Sequence, residues 1–190
     1  AENIYFVTNQ ANYFNVFDQI KEVYPELRKE QIIIEPASLN TAPAIALTMR
    51  YLMEKAGMLK SDPVIFLPSD HNISKTDAFA SLVTEAMHKV ADNIGTIGIT
   101  PTFPETGYGY IKKGKKNNSR YQVLEFKEKP DRATAEKYLA NGEYVWNSGM
   151  YIFNEKTFSE ELQKYAPEIY AAYSKNYEDF IANFKNLPSI

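Results

Sequence analysis

The sequence predicts an α/β fold: a mostly parallel sheet with helices on both faces and a β-hairpin added late in the chain. Three observations predict it. Short apolar runs alternate with amphipathic helical patterns from Ile4 to Thr100, the grammar of strands joined by crossover helices. Val64-Ile65-Phe66-Leu67 is an unbroken apolar run between Pro63 and Pro68, as expected of a central strand buried on both faces. After Thr100 the rhythm changes. Gly107 to Lys112 and Tyr121 to Lys129 read as strands around the polar turn Gly114–Ser119, which is a hairpin.

The elements follow in order. Ile4 to Val7 is a short apolar strand. Thr8 or Asn9 caps a helix carrying Tyr13, Phe14, Phe17 and Ile20, and Pro25 ends it. Gln31 to Ile34 is the second strand, closed by Glu35-Pro36. Asn40 or Thr41 caps the next helix, whose first turn tolerates Pro43. Ile45, Met49, Leu52, Met53 and Ala56 form its buried stripe, and Gly57 stops it. After the central strand, Ser74 or Thr76 opens a helix with Phe79, Leu82, Val83, Ala86 and Val90 on one face. Thr96 to Thr100 is a strand. Beyond the hairpin, Asp131 caps a helix to about Leu139, ended by Asn141-Gly142. Tyr144 to Phe153 is a strand. A helix from Asn154 or Lys156-Thr157 runs through Leu162, and one tyrosine-rich helix runs from Pro167 to Phe184.

With 190 residues the chain can build one domain with a real core. A net charge of −3 argues against broad nucleic-acid or membrane-surface binding. Cysteine is absent, which excludes disulfides and thiolate metal sites. No apolar run spans a bilayer and no signal peptide is visible. A cytoplasmic location is the expectation. Both ends read as cut. The chain opens almost on a strand with no glycine-rich loop before it, and it stops at Leu187-Pro188-Ser189-Ile190. A single domain truncated at both ends is expected.

Several residues stand where chemistry needs them. Asp70 lies just past the carboxyl end of a strand, the edge where open α/β sheets bind ligands. It either caps the following turn or helix or gives one oxygen to a hard cation such as Mg²⁺, which one carboxylate alone cannot hold. Asn40-Thr41-Ala42-Pro43 places small polar groups at a helix N-terminus, suited to plain capping or to ligand acceptors. Gly107 and Gly109, inside an expected strand, mark a bend or a close approach. By strand alternation Glu128 shares a face with Leu124 and Phe126, so it points inward and needs a partner or a ligand such as a sugar. Lys129 follows on the other face and suits a phosphate. Asn147 and Gly149 interrupt a hydrophobic strand, as a satisfied core amide or a ligand group. His71 and His88 have no zinc spacing. The lysines at 112, 113, 115 and 116 read as a solvated hairpin tip.

Five motifs together resemble the bacterial mannose-1-phosphate guanylyltransferases of the sugar-nucleotidyltransferase superfamily. They are Glu35-Pro36 with Asn40-Thr41-Ala42-Pro43-Ala44, Leu67-Pro68-Ser69-Asp70-His71, Thr106-Gly107-Tyr108-Gly109-Tyr110-Ile111, Phe126-Lys127-Glu128-Lys129-Pro130-Asp131 and Trp146-Asn147-Ser148-Gly149-Met150. The resemblance implies a Rossmann-like, glycosyltransferase-A-like mixed sheet with a small hairpin lobe. It implies GTP and mannose 1-phosphate as partners, GDP-mannose and pyrophosphate as products, and Mg²⁺ as cofactor. Nucleic acid and membrane are not expected as partners, and a homodimer is compatible with it. By the same resemblance Asp70 is a metal ligand and, with Lys129, catalytic. Glu35, Asn40, Thr41, Pro43 and Ser69 line the nucleotide site, while Gly109, Glu128 and Asn147 hold the sugar.

The resemblance covers the middle of a catalytic domain. The family's G-G-x-G-x-R-L-x-P-L-S loop is absent, and its second metal aspartate should follow a serine-isoleucine pair such as Ser189-Ile190. These 190 residues alone are therefore expected to be inactive. Another hexose-1-phosphate nucleotidyltransferase and a non-catalytic nucleotide-sugar-binding domain remain alternatives. In a longer protein a phosphomannose isomerase domain is a further expectation.

Overall fold

The computed structural model describes residues 3–90 and 92–190, which fall into two compact units. One comprises Ala1–Asp62 with Asn154–Ile190, the other Pro63–Phe153. Among the described residues, no helix is long and apolar enough to cross a membrane.

In the first unit, strands β1 (Phe6–Asn9) and β2 (Ile32–Glu35) pair in parallel, Phe6 opposite Ile32. Both start later than the apolar runs suggest. Gln31, expected to open β2, is instead buried as a polar clasp: its Oε1 accepts from the Arg28 N–H at 3.0 Å and its Nε2 donates to the Ile4 carbonyl at 2.9 Å. Asn9 caps a short 3-10 turn that leads into α1 (Tyr13–Val23). Helix α2 (Thr41–Lys55) buries Ile45, Met49 and Leu52 of its expected stripe, together with Ala46, Leu47 and Thr48. Met53 is only half-buried, and Ala56 is exposed beyond the last turn.

The expected tyrosine-rich helix is two helices. After α5 (Glu155–Tyr165), α6 (Pro167–Tyr173) ends near Ser174, and α7 (Tyr177–Asn183) restarts with Asn176 accepting from the Asp179 N–H at 2.9 Å. A side chain that satisfies a free helical N–H makes restarting cheap, so periodicity alone misses the break. Across it runs an aromatic series. Phe158, Tyr173, Phe180 and Phe184 meet edge to face at 5.7, 6.3 and 5.8 Å. The Tyr173 hydroxyl donates to the buried carboxylate of Glu155 at 3.1 Å. Burial, with that carboxylate beside it, pushes the Tyr173 phenol far above its ordinary value.

The second unit holds a five-stranded sheet: β3 (Val64–Phe66), β4 (Gly95–Ile99), β5 (Tyr110–Asn117), β6 (Arg120–Lys127) and β7 (Tyr144–Phe153). All its pairings are antiparallel. This corrects the expectation of a mostly parallel sheet centred on Val64–Leu67. The central strand is β7. It pairs with β4 on one side and with β3 and β5 on the other. Strand β3 is half-buried and, among the described residues, pairs only with β7; a short apolar run reveals burial but not its pairing partner. The fold is a mixed α/β one, with parallel pairing confined to β1 and β2 among the described residues.

Helix α3 (Thr76–Lys89) has no fully buried residue, and Leu82 of its expected stripe is exposed. Helix α4 (Arg132–Asn141) begins at Asp131 as expected, with Asp131 Oδ1 accepting from the Thr134 N–H at 2.8 Å. Tyr110, Ala135, Tyr144 and Trp146 form a small core joined by Tyr138. Of the four lysines expected at a solvated tip, Lys115 and Lys116 are exposed and Lys112 and Lys113 half-buried. Ser119 donates to Glu85 at 2.5 Å, and Arg120 donates to the Lys89 carbonyl, which docks the turn on the end of α3.

The Glu155–Tyr173 pair yields a stability prediction. Tyr173→Phe leaves a buried carboxylate whose other neighbour is Lys60, 3.7 Å from Oε2, and is expected to cost ~1–3 kcal/mol. Urea unfolding reads this directly; an unchanged midpoint would mean that the pair contributes nothing.

Candidate active site

The strand that carries Asn147 is irregular where that residue sits. Opposite β4, Thr96 pairs with Tyr151 and Gly98 with Asn147. Ile97 alone therefore faces Ser148, Gly149 and Met150, a bulge in β7. Side chains replace the lost ladder bonds. Ser148 Oγ donates to the Ile97 carbonyl at 2.6 Å and accepts from the Met150 N–H at 3.2 Å. Asn147 Oδ1 accepts from Thr96 Oγ1 at 3.1 Å and from the Gly149 N–H at 3.3 Å, and its Nδ2 donates to the Tyr151 hydroxyl at 3.1 Å. Asn147 is thus largely a satisfied amide, with one further Nδ2 proton by count. Gly149 has φ +72, and a Cβ there would lie 3.3 Å from Pro68 Cγ. The bulge consequently abuts the turn that carries Ser69 and Asp70.

Gly109 precedes β5 and does not lie inside it. Its carbonyl accepts from the Asn147 N–H at 2.8 Å. A Cβ at Gly109 would lie 2.8 Å from Glu128 Oε2 and 2.9 Å from Phe126 Cζ. Glycine here makes room for a carboxylate. Glu128 and Lys129 stand just past the end of β6, with Lys129 Nζ 3.6 Å from Glu128 Oε1. The inward face inferred for Glu128 is corrected: Leu124 and Phe126 are 57% and 50% exposed. Phe126 and Glu128 do meet the same glycine, as alternation has it, but β6 is an edge strand and its residues are exposed throughout. Lys129 has φ +41 and precedes the buried Pro130. Gly109, Glu128, Lys129 and Asn147 are therefore gathered in one place, with Pro68, which precedes Ser69 and Asp70, against the neighbouring bulge.

Asp70 lies on an exposed turn. It does not cap α3, whose N-cap position is Lys75. Among the described residues no three His, Asp or Glu side chains cluster to hold a metal. An exposed carboxylate fits a hard cation as one oxygen ligand, the others coming from phosphate and water.

The nucleotide candidates other than Ser69 belong to the first unit. Glu35 ends β2. Burial raises its carboxyl above the usual range, against a smaller lowering by a hydrogen bond with Ser38. Pro43 is fully buried in the first turn of α2, so it fixes the helix start and presents no surface. Thr41 is exposed. Asn40 occupies the N-cap position without capping: φ is 65 and ψ −162, and no side-chain cap bond forms. Its Nδ2 donates to Ser189 Oγ at 2.8 Å, and the Ala42 N–H donates to the Ile190 carbonyl at 3.0 Å. The sequence marks Ser189 only as part of the pair before an expected metal aspartate; its contact with Asn40, 149 residues away, has no local signal.

Residues 1–185 match the family model described as nucleotidyl transferase. A mannose-1-phosphate guanylyltransferase of Escherichia coli K12 is 41% identical over 182 residues, which is 92% of this chain and 37% of the relative. The chain spans little more than a third of the length of the curated relatives it matches. A solved chain from Thermus thermophilus, described as a mannose-1-phosphate geranyltransferase, superposes with a TM-score of 0.82 at 26% identity. The match covers all of this chain and 54% of that one. Another, described as a mannose-6-phosphate isomerase from Helicobacter pylori, gives 0.75 at 30% identity over 90% of this chain and 63% of its own. With the expected motifs carried on a matching fold, the chain belongs to the nucleotidyl transferase family.

Proposed function

We propose that the protein carrying this chain transfers GMP from GTP to mannose 1-phosphate, releasing pyrophosphate. What supports this reading most is the convergence of Gly109, Glu128, Lys129 and Asn147 beside the Ser69–Asp70 turn. A carboxylate, a lysine and an amide proton around a glycine suit a sugar phosphate. Glu128 accepts sugar hydroxyls, Asn147 offers its remaining Nδ2 proton to another, and Lys129 turns from its exposed, weak pairing with Glu128 to the phosphate. In the first unit Glu35, Asn40 and Thr41 are the proposed nucleotide residues, with Pro43 fixing the helix start; Ser69 is the proposed nucleotide residue of the second. The sugar-phosphate oxygen attacks the α-phosphorus in line, a bond to it forms, and the bond to the pyrophosphate oxygen breaks. These residues contribute mainly positioning and charge neutralisation. Asp70 is the proposed ligand of Mg²⁺, which when bound would neutralise triphosphate charge. GTP and a sugar phosphate as substrates fit a cytoplasmic enzyme.

The test uses the protein at the length of its relatives, with GTP, UTP and dTTP offered in competition and pyrophosphate release measured. GTP with mannose 1-phosphate should be preferred, and chelation should abolish turnover. Asp70→Asn should lower kcat roughly 10²-fold or more with the fold intact, on the scale of losing one electrostatic stabiliser. Gly109→Ala should raise the KM for mannose 1-phosphate while sparing that for GTP. Preference for UTP or dTTP, or near-normal activity of Asp70→Asn, would overturn the reading.

Glu35 gives a pH prediction. A carboxyl raised by burial binds more protons folded than unfolded, so stability falls as pH rises above the ordinary value of 4.5. Glu35→Gln removes that fall. Its melting temperature relative to the unsubstituted chain should climb between pH 4 and pH 7. A pH-independent difference would show that Glu35 is not desolvated.

A further inference from the structure

We infer that Ser189 is a positioning residue for the nucleotide half of the site, acting through Asn40; this rests on the function proposed above. Four other cap residues in the chain, Asn9, Asp131, Asn154 and Asn176, share one geometry. Their φ values are −91, −64, −107 and −71, their ψ values lie between 165 and 168, and each side chain accepts a backbone N–H of its own helix. Asn40 differs in both respects. Its φ of 65 with ψ −162 falls in a region essentially reserved for glycine. Its side chain has left the helix and donates to Ser189 Oγ. The neighbouring Ala42 N–H is taken by the Ile190 carbonyl, and Pro43 has no N–H to offer. The N-terminus of α2 is therefore held by residues 189–190 in place of a cap of its own.

Reversing the sign of φ turns over the Leu39–Asn40 peptide. Which backbone donor and acceptor face a ligand at the Asn40–Thr41 edge then depends on a strained torsion, and the hydroxyl of Ser189 holds it. A nucleobase is read by donor and acceptor edges, so the consequence belongs to nucleotide affinity and not to the chemical step.

The experiment is a double-mutant cycle in the protein at the length of its relatives. Ser189→Ala should raise the KM for GTP roughly five- to tenfold, the scale of one lost hydrogen bond, with kcat and the KM for mannose 1-phosphate within about twofold. Ser189→Thr keeps the hydroxyl and should recover most of the loss. Asn40→Gly has its own cost, but on that background Ser189→Ala should add less than about twofold, because the contact is already gone. An active protein whose GTP KM is indifferent to Ser189→Ala overturns the inference alone. So does an equal loss for both substrates, or an undiminished effect in the Asn40→Gly background. An unsubstituted protein that turns over no GTP would overturn the proposed function, and this inference with it.

Discussion

The second unit depends on the bulge in β7. A central strand must satisfy a ladder on each side, and β7 does so with β4 on one and β3 and β5 on the other. The β4 ladder breaks where Ser148 to Met150 oppose Ile97. The break persists because Asn147, Ser148 and Thr96 supply the missing donors and acceptors, and because Gly149 takes a positive φ. Everything placed near the candidate sugar site follows from it. The Gly109 carbonyl is bonded to Asn147, Pro68 packs against Gly149, and Glu128 fills the space left by the side chain that Gly109 lacks. Asn147 and Ser148 are thus required by the backbone before any ligand is considered.

Legibility in the sequence followed the range of the interaction. Strand β7 was readable end to end, since its apolar pattern is bounded by Asn141-Gly142 before it and Asn154 after it. So was α4, where Asp131 and Gly142 mark both ends. The bulge inside β7 was not readable, because a bulge is a relation to a partner strand. For the same reason β3 looked like a central parallel strand when it is a three-residue antiparallel one. The face of Glu128 was legible from alternation, while its exposure was not, since exposure depends on β6 lying at an edge. Of the candidate site, residue types and motif order were visible. The saturation of Asn147, the burial of Pro43 and the contact of Asn40 with Ser189 were not.

Each unit organises one part of the proposed chemistry by itself. The first holds Glu35, Asn40 and Thr41 through the parallel β1–β2 pair and the start of α2, stabilised by an aromatic core. The second holds Asp70, Gly109, Glu128, Lys129 and Asn147 through one antiparallel sheet. A substitution confined to one unit can therefore be expected to separate nucleotide from sugar binding, which is why the two KM values are the informative readouts.

Backbone strain coincides with these residues in both units. Non-glycine residues with positive φ are Asn40, Asn118 and Lys129 among those described. Asn118 needs no function, because it sits in the hairpin turn, where asparagine tolerates that conformation. Asn40 and Lys129 have no such excuse, and each costs on the order of 1–3 kcal/mol that the surroundings must offset. Lys129 lies in the bend after β6, next to the buried Pro130. At Asn40 the offset comes from Ser189 and Ile190. One of these strained residues stands beside the candidate nucleotide edge and the other beside the candidate sugar carboxylate.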